Sequence, residues 1–169
     1  MKDLSHKTAI KRTNTSKPVR DLLEGGYIKG KILDYGCGHG KDIEELKKKG
    51  FEVYGFDKYF KHHSIDTEGI KEEQFDTILL IYVFNVISDL EEHKELVKFL
   101  RNTPGKVYIS VRKDIRAVKR QWVYDRESRG HWTTRGTFQR FYNKELIEEF
   151  FGDTALIKET SSYILFSLI

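Results

Sequence analysis

The stretch "KILDYGCGHGKDIEEL", Lys31–Leu46, decides the fold class. A short apolar run ends in an acid, three alternating glycines follow, and then a helical pattern begins with its acids early and its lysines late. Buried strand, bare loop and helix in that order open an α/β unit, and the same alternation continues outward. "EVYGFD" (52–57) reads as a second strand. "FDTILLIYVFNVI" (75–87) reads as a fully buried strand with its exit, "DLEEHKELVKFLRN" (89–102) as a helix and "KVYISVR" (106–112) as a further strand. "NKELIEEFF" (143–151) is expected as a helix, and "TALIKETSSYILFSLI" (154–169) as two strands turning at 160–162. Upstream, Ser16 is placed to cap a short helix that carries Pro18 in its first turn and stops at Gly25-Gly26.

With 169 residues the chain fits one domain: an N-terminal arm and helix (1–30), a ligand-binding core (31–112), a basic lid or insert (113–142), and a C-terminal helix with strands (143–169). An apolar fraction of 38% excludes disorder as the default state. No apolar run reaches membrane-spanning length, and the single Cys37 excludes an internal disulfide. These features lead us to expect a cytoplasmic protein without a membrane partner. The net charge of +4 is unevenly spread: residues 1–20 carry +5 and residues 112–144 carry +7, around an acidic middle. Such segregation suits an anionic partner or a solvated surface.

In a parallel α/β sheet, ligands collect where strands end, and Gly36, Gly38 and Gly40 follow the first strand directly. Their G-x-G-x-G spacing is neither a phosphate-cradling loop nor the dinucleotide fingerprint. Asp42 already occupies the positive end of the next helix, which also disfavours a phosphate there. Asp57, ending the second strand, is placed to accept from two ribose hydroxyls, and Asp34, just ahead of the glycines, to meet a cation. A ligand with a ribose and a positive charge but no phosphate fits, and S-adenosylmethionine is such a ligand.

"LDYGCGHG" and "VYGFD" resemble the first two motifs of class I S-adenosylmethionine-dependent methyltransferases. The resemblance covers Lys31 to about Arg112 and implies a Rossmann-like, mostly parallel sheet with an antiparallel C-terminal strand pair. It implies that Gly36, Gly38 and Gly40 pack against the methionine part, that Asp57 holds the ribose and that Asp34 acts near the amino-acid end. "KTAIKRTNTSKPVRDLL", "LDYGCGHGKD", "FDKYF" and "FNVI" in succession are similar to small methyltransferases found beside DNA phosphorothioation genes and in phages. The chain departs from the family between its second and fourth strands. Only about 18 residues separate Asp57 from "DTILL", so a degraded third strand is expected there, with Asp66 a weak candidate for the adenine contact.

Cys37 reads as a small packing residue in the cofactor loop rather than a nucleophile. His62-His63 has no companions at metal-ligand spacing, so no metal is expected. Asn85, after the buried strand, is a candidate for cofactor or substrate contact, or for capping the following segment. The basic, aromatic residues 113–142 suit backbone-plus-stacking recognition of single-stranded DNA or RNA, or a lid over the site. Arg112, Arg135, Arg140 and Tyr142 are the candidate substrate contacts, with Arg135 and Arg140 expected to face the ligand. The reading favours a nucleic-acid acceptor, over a small molecule or a non-catalytic cofactor-binding module. His39, Tyr82 and Tyr142 are possible bases, but no catalytic residue is assigned.

Overall fold

The computed structural model describes residues 4–61 and 67–169. His62, His63 and Asp66 therefore lie outside the described residues. The chain forms two compact units: one of Ala9–Ile81 with Pro104–Tyr108, the other of Met1–Thr8, Tyr82–Thr103 and Ile109–Ile169.

In the first unit, α1 (Lys17–Glu24) buries Pro18, Val19 and Leu22 on one face. It ends at Gly25-Gly26, where Gly26 takes the positive φ that closes a helix. Three parallel strands follow, β1 (Ile32–Tyr35), β2 (Val53–Phe56) and β3 (Thr77–Ile81), with β1 in the middle. Asp34 faces Gly55 of β2 on one side and Leu79 of β3 on the other. Between β1 and β2 runs α2 (Lys41–Lys48), whose Ile43 and Leu46 are buried. All five residues of β3 are buried, as a strand covered on both faces requires.

The expected degraded third strand is not found among the described residues between β2 and β3, where α3 (Thr67–Glu72) occupies the connection. β2 stands at the edge of the described sheet, with β1 between it and β3. The start of β4 (Lys106–Arg112) extends this sheet beside β3, with the Lys106 amide donating to the Asp76 carbonyl at 2.9 Å.

In the second unit the end of β4 continues into the order β4-β9-β8, from β8 (Thr154–Glu159) and β9 (Tyr163–Leu168). This pair is antiparallel and turns on Thr160, as expected. All six residues of β9 are buried, whereas β8 is largely exposed. The helix α4 (Leu90–Arg101) is capped by Asp89, which accepts from the Glu91 and Glu92 amides. The insert is a three-stranded antiparallel meander: β5 (Val123–Asp125), β6 (Gly130–Trp132) and β7 (Phe138–Gln139). Its turns place Arg129 and Gly136 at positive φ. The helix α5 (Lys144–Phe151), capped by Asn143, follows. The fold is thus α/β, with a mostly parallel sheet and antiparallel C-terminal strands, as the sequence led us to expect.

Candidate cofactor site

Parallel pairing brings the carboxyl ends of β1 and β2 side by side, so the glycine loop and Asp57 meet. Gly36, Gly38 and Gly40 have φ of 78°, 52° and 76°, a left-handed conformation at every second residue that L side chains resist. That alternation is the physical reason for the G-x-G-x-G spacing. The loop's amides are engaged within the protein: Gly36 and Cys37 donate to the Phe56 carbonyl, Gly38 to Asp57 and Gly40 to the Cys37 carbonyl. A phosphate nest needs such groups turned toward the ligand, so this loop is built for close approach rather than anion capture.

Asp57 is the loop's organiser. Its Oδ2 accepts from the Gly38 amide at 2.8 Å, and its Oδ1 from the Tyr59 and Phe60 amides at 2.8 and 3.1 Å. Carboxylate oxygens accept more than one hydrogen bond each, so these amides do not by themselves bar a ribose contact. His39, the only other side chain within the glycine triplet besides Cys37, lies against the Phe60 ring at 4.6 Å.

Asp34 is 3% exposed and makes no hydrogen bond among the described residues. Burial pushes its carboxyl well above the usual range; Asp42 adds to this, Arg12 opposes it and Asp57 adds further. A buried carboxyl among other acids, without a donor, fits the ammonium of a cofactor's amino-acid end. Asp34, the glycine loop and Asp57 would therefore hold the methionine part and the ribose.

The other candidates lie in the second unit. Asn85 is fully buried, and both ends of its amide are taken: Nδ2 donates to the Arg140 carbonyl at 2.5 Å and Oδ1 accepts from the Arg112 amide at 3.0 Å. The Arg140 amide returns a bond to the Asn85 carbonyl at 2.7 Å. Arg140 is also fully buried, which corrects the expectation that it faces a ligand. Its guanidinium donates to the Phe84 and Ser128 carbonyls and packs over the rings of Phe138, Tyr142 and Phe150. Aromatic faces and backbone carbonyls stand in for a carboxylate partner.

Tyr142 is 2% exposed and donates to the Phe84 carbonyl, and burial pushes its hydroxyl up to about 12. It is a poor base at neutral pH. Arg112 is half-buried over the Phe141 ring, with Gln139 as a polar neighbour. Arg135 alone of the four candidate contacts is exposed, on the turn before β7. Tyr82 is half-buried and holds a φ of 62°, unusual for a bulky residue, immediately after β3.

The family model for a methyltransferase domain matches residues 9–154, and the chain belongs to that family. No curated protein matches it in sequence. Among solved structures, PH0226 of Pyrococcus horikoshii superposes with a TM-score of 0.65 at 21% identity, over 88% of this chain and 87% of that one. A Bacteroides fragilis S-adenosylmethionine-dependent methyltransferase, bound to S-adenosylhomocysteine, gives 0.62 at 18% over 96% and 80%. The Burkholderia thailandensis 1,6-didemethyltoxoflavin-N1-methyltransferase gives 0.58 at 12% over 98% and 77%. These likenesses show a shared fold. The family and the fitted loop together make this protein an S-adenosylmethionine-dependent methyltransferase.

Proposed function

We propose that the enzyme methylates nucleic acid in the cytoplasm, engaging a single strand through its insert. The observation that carries this reading is the insert's surface. Arg116, Lys119, Arg120, Arg126 and Arg135 are exposed there, and so are Val123 (66%) and Tyr124 (57%). Cations beside exposed flat or apolar side chains are what backbone neutralisation and base stacking require. When bound, the cofactor supplies a methyl group already activated on a sulfonium, so the chain's task is chiefly to align the acceptor and exclude water.

A small acceptor is the second reading, favoured by a neighbour of the same fold that acts on didemethyltoxoflavin. Incubation with methyl-tritiated S-adenosylmethionine and single-stranded DNA, duplex DNA, RNA or a small-molecule extract separates the two. Label is expected in a nucleic-acid fraction. Label confined to the small molecules overturns the proposal.

A further inference from the structure

The segment that precedes α1 lies against the glycine loop. Residues 9–16 cross the glycine loop, since a Cβ built on Gly38 would lie 3.6 Å from the Ala9 Cβ, an ordinary van der Waals contact. The crossing is fixed at the head of α2. The Ser16 amide donates to Asp42 Oδ1 at 2.7 Å in a buried bond, and Arg12 Nη1 lies 3.6 Å from Asp42 Oδ2. Ser16, expected to cap α1 with its hydroxyl, makes no such bond; its amide is used on Asp42 instead.

The carboxylates Asp34, Asp42 and Asp57 surround the loop, and all three are buried. They suit the ammonium of a methionine moiety, but they repel the carboxylate at its other end. That carboxylate needs a cation close by. Arg12 is such a group: its side chain is one-third exposed, Asp42 holds it beside the loop, and its charge acts on Asp34. Lys41, the other cation at the head of α2, pairs with Glu44 and Glu45.

We propose that Arg12 binds the α-carboxylate of S-adenosylmethionine, with Asp42 as the residue that positions it. Asp34 and Arg12 then form a matched acid and base for an amino-acid zwitterion, and the guanidinium fork suits a carboxylate. This assignment rests on the cofactor reading of the loop.

Calorimetry with S-adenosylmethionine and decarboxylated S-adenosylmethionine, which lacks only the carboxylate, tests it on the full chain. Wild type should bind the carboxylated form roughly 10- to 100-fold more tightly, the effect of a charge-assisted hydrogen bond. Arg12→Gln should remove that preference and leave the decarboxylated ligand within about twofold, by the same reasoning. Arg12→Lys should keep part of it, and Asp42→Asn should reduce it while retaining an acceptor for the Ser16 amide. Thermal melts without ligand check that the variants fold. Parallel weakening of both ligands by Arg12→Gln, or unchanged binding, overturns the role of Arg12 and leaves the cofactor reading standing. Wild type that binds neither ligand overturns both.

Discussion

Asp34 sets a conflict at a single residue. Its carboxyl is buried, has no hydrogen-bond donor among the described residues and is surrounded by acids, so the folded protein resists ionising it. The folded pKa lies above the unfolded value of about 4, so the folded state is favoured while the group is protonated. That advantage is present below about pH 4 and is lost as pH rises through the folded pKa. Asp34→Asn removes the penalty. The unliganded variant should melt at a higher temperature than wild type at neutral pH, and the gap should close toward about pH 4. Its affinity for S-adenosylmethionine should fall roughly 10- to 100-fold, since the ammonium loses a charged acceptor. Lower stability at neutral pH, or unchanged affinity, would show that Asp34 has a protein partner and no cofactor role.

Asp57 behaves differently, because its oxygens already hold three backbone amides. Asp57→Ala should both lower the melting temperature and raise the cofactor dissociation constant by about tenfold or more. If only stability changes in paired melting and calorimetry experiments, Asp57 shapes the loop without touching the ribose.

Among elements, the segment after β3 and the segment that follows β7 are joined by a reciprocal clasp between Asn85 and Arg140. Asn85→Ala would leave the Arg140 carbonyl and the Arg112 amide without their partner. Each unsatisfied buried group costs about 1–3 kcal/mol, so urea unfolding should show a loss of roughly 2–6 kcal/mol with an unchanged slope. The same region contains His93, fully buried on α4, its Nε2 3.1 Å from the Tyr142 hydroxyl and its ring against Phe84, Phe150 and Phe151. Burial and then the Arg140 charge press its pKa down to about 3. A depressed histidine stabilises the fold fully above the unfolded pKa of about 6.5, and that stability is lost as pH falls toward the folded value. Each pH unit below about 6.5 removes about 1.4 kcal/mol. His93→Gln should therefore flatten the decline of unfolding free energy between pH 6 and 4. An equally steep decline would assign the acid sensitivity elsewhere.

The legible elements were those with a local signal. Alternating glycines after "KILDY" and an acid closing "VYGFD" mark the loop and its partner strand without any tertiary knowledge, and Asn143 and Asp89 announce the helices they cap. The meander of the insert gave no such signal. Its strands are two or three residues long, and its first turn places Arg129, an ordinary L residue, at positive φ. Arg140 misled for a related reason: an arginine in a basic run reads as exposed, and only the folded arrangement of three rings and two carbonyls shows it to be internal. Arg12 was invisible as a site residue because its partner Asp42 is 30 positions away and the two meet only when the arm crosses the loop.

For the whole molecule, charge is where acceptor choice can be read. The chain has net charge +4, but the surplus sits in two segments, and burial of Arg140 removes one of the cations first assigned to contact. The exposed set of the insert that carries no ion pair with a neighbouring acid among the described contacts is Lys119, Arg120, Arg126 and Arg135, whereas Arg116 pairs with Asp114 at 3.0 Å. If a single strand lies along the insert, each neutralised phosphate adds about 0.7 to the slope of log affinity against log salt. Replacing Arg120, Arg126 and Arg135 together by Gln should flatten that slope by about 2 and weaken binding at low salt. S-adenosylmethionine binding should stay unchanged, because none of the three belongs to the glycine loop or the arm. The charge set has an internal control in Arg116, whose replacement should alter the slope least, its charge being already offset by Asp114. Fluorescence anisotropy with a labelled oligonucleotide at several salt concentrations measures both slopes. Equal slopes for the triple variant and wild type would remove the insert from acceptor recognition and leave its cations to solubility.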